Sequence, residues 1–296
     1  MGSRRVMKRL IVNADDFGLT AKVNQAILAG HENGLITSTS LLANGEAFAS
    51  AVALSSEAPR LGVGVHLNLT EGRPIAPAAS IPTLVNGQGR FARNPAGLWR
   101  GIILGRVSTV EIEKELRAQI EKVLAAGIRA THLDSHKHVH ALPALGRIAI
   151  RLARQYGIPA MRRVAERRAA LSCLLRRFPR AKTTIFRQFL NSCMLSIVFR
   201  ALSRPLRRAG VACVEHFYGL TPTGFLDEEV LREILCHLPE GTSELMCHPG
   251  FVDEALRQAP TRLVEQREVE YQALTRPEMQ LLAKDLGIRL VNFGDF

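Results

Sequence analysis

Residues 9–18, Arg-Leu-Ile-Val-Asn-Ala-Asp-Asp-Phe-Gly, pass from an apolar run directly into two adjacent carboxylates and a glycine. A buried strand that ends this way suits the carboxyl edge of a parallel sheet, where such folds carry their sites. Paired acids serve metal ligation and proton transfer, and one loop can hold both. Taken alone, Asp15-Asp16 also reads as a solvated turn before a helix, with Asp16 near the helix N-terminus. Histidines further along weigh against that reading.

The strand-then-helix pattern repeats. Thr20 is a plausible N-cap for an amphipathic stretch to about Asn33, stopped by Gly34. Runs at 39–43, 61–69, 129–136, 158–164, 211–217, 243–247 and 288–293 read as strands. Helices are predicted at about 47–58, 108–126, 143–156, 227–237, 261–273 and 277–286. This alternation implies parallel βαβ units. With about seven to eight strands it predicts an α/β fold, a distorted (β/α) TIM-like barrel. Residues 1–296 read as a single barrel domain with two departures. Residues 71–107 form a proline-rich loop or small subdomain over the site, and residues 161–210 form a basic, apolar insert.

The chemistry-bearing residues fall at the predicted strand ends. In strand 61–69, alternation sets His66 and Asn68 on the face of Gly62 and Gly64, away from the valines. In Thr131-His-Leu-Asp-Ser-His-Lys-His-Val-His140, the residues His132, Asp134, His136, His138 and His140 occupy alternate positions. An extended chain would line all five on one face. Imidazoles this dense repel one another when protonated, which a divalent ion or hydrogen bonding relieves. Another strand ends in Cys247-His248-Pro249-Gly250; Cys247 reads as core and His248 as a site residue. Asp and His donors with an open position are ligands for one catalytic divalent ion, and such mixed donors admit Zn, Mg, Mn or Co. With a carboxylate to take a proton and an imidazole to protonate a leaving amine, the set points to metal-assisted hydrolysis of an amide.

At these residues the chain resembles the YdjC-like carbohydrate deacetylases. The matching motifs are Asn13-Ala-Asp-Asp-Phe-Gly18, Thr37-Ser-Thr-Ser40, Gly64-Val-His-Leu67, Thr131–His136 with His138 and His140, and His248-Pro-Gly250. The phrases Gly64–Gly72 and Asp134–His140 look like the hopanoid-biosynthesis-associated (HpnK-type) branch. The resemblance implies hydrolytic removal of acetyl from an N-acetylated sugar. By position it implies Asp16, His66 and His136 as the metal triad, Asp15 as base and His248 as acid. Asp134, His138, His140, His132 and Asn68 would orient ligands or substrate. The branch implies an N-acetylglucosaminyl hopanoid lipid as substrate, with a free amino sugar and acetate as products. A chitooligosaccharide deacetylase, a metal-dependent phosphoesterase and a non-enzymatic membrane-associated binding protein are the competing readings.

Charge is concentrated. Residues 161–210 hold thirteen Arg or Lys against one acid, Glu166, which accounts for the whole net charge of +12. Within them, Phe189 to Leu202 is largely apolar and flanked by arginines, a composition suited to lying in an anionic membrane interface and too short to span it. An ordinary amphipathic helix pair over the barrel fits equally. Nucleic acid is not expected as a partner, because the segment has few aromatics and no binding motif. A homodimer is left open. The five scattered cysteines contain no Cys-x-x-Cys pair, and the apolar run near the N-terminus is broken at Asn13 and Asp15. These features favour a reducing cytoplasm, with peripheral attachment at the inner face of the cytoplasmic membrane if the insert docks there.

Overall fold

Alternation along the first strand, β1 (Lys8–Phe17), sorts two cores. Leu10, Val12 and Ala14 face outward and join the large core between sheet and helices. Ile11 faces inward and packs with Ala160, Val214, Val291 and Phe293 inside the curl of the sheet. The structure is a computed structural model that describes residues 7–167 and 170–295. The further strands are β2 (Ser38–Leu41), β3 (Gly62–Leu67), β4 (His132–Ser135), β5 (Ala160–Met161), β6 (His216–Tyr218), β7 (Gly241–Cys247) and β8 (Ile288–Leu290).

Every strand pair is parallel, in the order β5-β4-β3-β2-β1-β7-β6. Parallel bridges Ala160↔Ala212 and Glu166↔Phe217 tie the two ends of this path together. The sheet therefore curls into a distorted TIM-like barrel whose strands follow chain order. β7 takes one edge of β1 from Lys8 to Ala14. The other edge is shared: β8 pairs Lys8–Leu10, and β2 takes over from Asn13.

Local chemistry explains the surrounding helices. Thr20, Ser108 and Asp227 each accept a hydrogen bond from a first-turn N–H, capping helices Ala21–Asn33, Thr109–Ala125 and Glu228–Cys236. Helix Pro143–Gln155 starts on proline, whose missing N–H costs nothing there. Cys247 is buried at the end of β7, as expected of a core residue.

One expectation gains detail and one needs correction. Residues 71–107 contain a helix, Pro95–Ile103, capped by Asn94, which the proline content concealed. The five-residue histidine face does not form. β4 stops at Ser135, and Lys137 and His138 adopt left-handed backbone (φ 53° and 55°) within a tight turn, His136–Ala141. Only His132, Asp134 and His136 keep the strand's alternation; His138 and His140 are swung onto other partners.

Inside the barrel, β3 and β4 approach closely at a glycine. A Cβ added to Gly64 would lie 2.4 Å from the His132 ring. That ring is stacked on Phe293 at 4.0 Å and held by Ser40 and Thr131, so it cannot retreat. Gly64→Ala should therefore destabilise the fold by about 1–3 kcal/mol. Gly87→Ala, where a Cβ meets nothing within 4 Å, should stay within about 0.5 kcal/mol of the parent. Urea unfolding of both variants measures the difference.

Candidate active site

Asp15 and Asp16 are neighbours, and in a regular strand they would point to opposite faces. The β1–β2 register slips between Ala14 and Phe17, a bulge of one extra residue on β1. Asp16 itself has φ 68°, a left-handed conformation uncommon outside glycine and favoured at functional turns. Together these turn both carboxylates inward, where each is almost fully buried.

Their partners differ. Both oxygens of Asp15 accept hydrogen bonds from Arg162, at 2.7 and 2.6 Å, and Asn13 donates to Oδ1 at 2.9 Å. Asp16 Oδ2 accepts from Arg267 Nη2 at 2.6 Å. Asp16 Oδ1 is buried with no hydrogen-bond donor. It lies 3.2 Å from His136 Nδ1 and 3.6 Å from His66 Nε2. Burial opposes the charge on Asp16, but Arg267, His136 and His66 outweigh it and hold the carboxyl well below its usual range.

The two imidazoles are fixed from behind. His66 Nδ1 bonds Asp134 Oδ1 at 2.8 Å, and His136 Nε2 bonds Glu71 Oε2 at 3.0 Å. Glu71 also pairs with Lys137. Burial disfavours charge on His136, but the neighbouring carboxylates of Asp16 and Glu71 prevail and raise it to about 9. Burial likewise opposes charge on His66, and Asp134 overcomes it so that this imidazole too is raised.

This trio fits a divalent cation. Two imidazole nitrogens converge on one orphaned carboxylate oxygen, and each ring's other nitrogen is anchored on a carboxylate, the usual support for a metal-binding histidine. A second group of donors, Asp15, His66 and Asp134, lies equally close together. Its charge is already met: Arg162 reaches both Asp15 and Asp134 at 2.6 Å. The trio with the unpartnered oxygen is the better cation site.

The other sequence candidates have other surroundings. His248 lies where the charges of Asp15 and Asp16 reach it, and its backbone N–H bonds Glu270. Burial pushes its imidazole down to about 4 despite those two acids. Asp134 is central, shared by His66, Ser40 and Arg162. His132 bonds Ser40 and Thr131, and His140 bonds Ser135 and the Arg162 carbonyl. His138 sits beside Phe217 and His140, with its Nδ1 buried and unpartnered. Asn68 accepts from Thr70 and Glu71 N–H groups and donates to the Glu71 carbonyl. It thus shapes the turn that delivers Glu71.

Sequence reasoning missed Arg162, Arg267 and Glu71. Arg162 was hidden among the thirteen bases of the insert, although it lies within the strand predicted at 158–164 and directly follows β5. Arg267 sits inside a helix with no motif around it. Glu71 belongs to the Gly64–Gly72 phrase and carried a signal that went unassigned.

The fold and site define a class, a parallel (β/α) barrel with an Asp–His–His constellation, two members buried and His136 partly so, at the carboxyl ends of its strands. The chain matches the YdjC-like protein family over residues 9–285 and belongs to that family. It is 37% identical over 291 residues to a carbohydrate deacetylase of Brevibacillus brevis, covering 97% of this chain and 99% of that one. A carbohydrate deacetylase of Geobacillus stearothermophilus is 33% identical over 287 residues, covering 97% of both. An Enterococcus faecalis crystal structure, of a protein provisionally assigned to cellobiose-phosphate cleavage, superposes with TM-score 0.77 at 28% identity, covering 98% of each chain.

The site's electrostatics carry a pH signature. Arg162 Nε reaches Glu244 Oε1 at 2.7 Å, but Glu244 Oε2 is buried without a partner. Burial outweighs the arginine and lifts this carboxyl to about 8 from an ordinary 4.5. At this carboxyl the folded state therefore binds more protons than the unfolded state between those values, and the stability that Glu244 contributes is lost as pH rises from 4.5 to 8. Glu244→Gln keeps the acceptor for Arg162 and removes the titration. The stability difference between variant and parent should shift in the variant's favour from the lower end of this window to the upper, as read from urea unfolding of both at each end.

Proposed function

We propose that the protein is a metal-dependent carbohydrate N-deacetylase. The observation that carries this reading is Asp16 Oδ1, buried, without a donor, and facing two imidazole nitrogens. The names of the full-length relatives support the substrate class. Asp16, His66 and His136 would hold the ion. When bound, it supplies a Lewis acid that polarises the acetyl carbonyl and makes water more acidic.

The chain's own groups do the rest. Arg162 aims the Asp15 carboxylate with two hydrogen bonds, and this is the group that takes a proton from the attacking water. The departing amine needs one proton, and this is the one Asp15 has taken. His248 is neutral at rest, which lets its ring accept that proton at one nitrogen and deliver another from the second. Amino sugar and acetate leave, and Asp15 is ionised again.

For the acyl donor we favour an N-acetylglucosaminyl glycolipid of the hopanoid type, used at the inner face of the cytoplasmic membrane. The basic, apolar residues 161–210 support a lipid-borne sugar over soluble chitooligosaccharide. A phosphoesterase is the second reading, because Asp/His metal sites also hydrolyse phosphate esters and the Enterococcus faecalis relative is assigned to a phosphorylated sugar.

Incubating the metal-loaded protein with N-acetylglucosaminyl hopanoid, N-acetylated chitooligosaccharide and a sugar phosphate, with acetate and phosphate measured, decides among these. Acetate release, greatest from the glycolipid, is expected; phosphate release without acetate overturns the reading. Asp15→Asn should lower kcat by about 10²–10⁴-fold. His136→Ala and removal of the ion by a chelator should each abolish turnover, with re-addition of a divalent metal restoring only the chelated parent. Glu71→Gln should weaken metal affinity by about 10–100-fold in calorimetric titration, since it loosens His136 without removing a ligand.

A further inference from the structure

Helix Lys182–Phe199 is apolar on two sides. Ile185, Leu195 and Phe199 are buried against the rest of the molecule. On another side, Phe186, Leu190, Met194 and Ile197 are 53%, 51%, 54% and 65% exposed. Their spacing of four, four and three residues makes one continuous stripe, where a solvated helix would carry charge. Arg187, Arg200 and Arg204 lie beside or just beyond it and are exposed.

A cleft of about 550 Å³ adjoins the end of this helix, on the outer side of the β5–β6 seam. Arg162 and Val214 point into the barrel, so alternation turns Arg163, Arg167, Cys213 and Glu215 outward. The cleft is lined by Arg163, Arg167, Arg200 and Arg207. Among the described residues none of these four forms a salt bridge with a carboxylate. The two acids on the wall are engaged elsewhere: Glu166 accepts from Gly219 and Thr221, and Glu215 from the Thr242 N–H.

We infer that this face docks on an anionic phospholipid bilayer, with the stripe entering the interface and the arginine cleft taking a lipid phosphate. Apolar side chains ringed by arginine suit a layer that is hydrocarbon below and phosphate above. A second copy of the chain suits it less. A two-fold contact through the stripe would bring Arg187, Arg200 and Arg204 against their own counterparts. The helical stretch Pro179–Ala209 has the length and apolarity to cross a membrane. Ile185, Leu195, Phe199, Leu202 and Leu206 are buried in the fold, however, so it lies along the surface. Its Phe199 ring is 6.4 Å from His140, in the turn that begins with His136. Docking would thus bring the bilayer to the neighbourhood of the site. The inference rests on the proposed function only for what the membrane would present.

The test is flotation of the full-length, metal-loaded protein with vesicles of phosphatidylcholine alone or with added phosphatidylglycerol. Binding is expected only where phosphatidylglycerol is present, weakening as salt is raised. Leu190→Asn with Ile197→Asn should reduce it at least about tenfold, and Arg200→Ala and Arg207→Ala by about fivefold each. Thermal unfolding and acetate release from soluble N-acetylated sugar should match the parent in all these variants, which shows that they fold. Equal binding to both vesicle types, no binding, or undiminished binding by the folded variants overturns the inference. So does a vesicle-free dimer that the Leu190→Asn, Ile197→Asn variant breaks. Vesicle binding involves no turnover, so its failure leaves the deacetylase reading standing. Failure to release acetate likewise leaves the docking surface standing.

Discussion

One buried guanidinium holds the interior of this barrel together. Arg162 is fully buried and contacts Asp15 at the end of β1, Asp134 on β4 and Glu244 on β7, so a single side chain ties three strands across the interior. Removing one member of such a network costs about 3–5 kcal/mol, because the charges left behind remain out of water. One positive charge cannot balance three carboxylates. The surplus is met by the proton that burial holds on Glu244 and by the raised basicity of His66.

The candidate site follows from that arrangement. Asp134 gives Oδ2 to Arg162 and Ser40, which leaves Oδ1 for His66 Nδ1. His66 is thereby set with Nε2 toward Asp16, and Arg267 holds Asp16 from the other side. The line Arg162–Asp134–His66–Asp16–Arg267 begins and ends on a buried arginine. Its members are oriented by one another, which is what a preorganised ligand set requires. Asp15, on the same arginine, differs from its neighbour in its partners.

Much of this was legible in the chain. Strand periodicity, N-caps and glycine stops are local properties, and the barrel's elements appear where those signals lie. The side assigned to His66 also holds, because β3 is regular and alternation needs no distant information. The histidine run was legible only to His136. Beyond it, two left-handed residues, Lys137 and His138, break the extended chain, and a histidine in so dense a run of histidines does not announce such a turn by itself.

What the sequence alone determined is the alternation of strands and helices and the placement of acids and histidines at strand ends. Tertiary structure decided which acid meets which base. Arg162 is 147 residues from Asp15, and Arg267 is 251 residues from Asp16. No local pattern links them; barrel closure does. Two adjacent aspartates look equivalent as sequence. They differ only once a bulge turns both inward and one arginine claims both oxygens of Asp15, while another leaves one oxygen of Asp16 open.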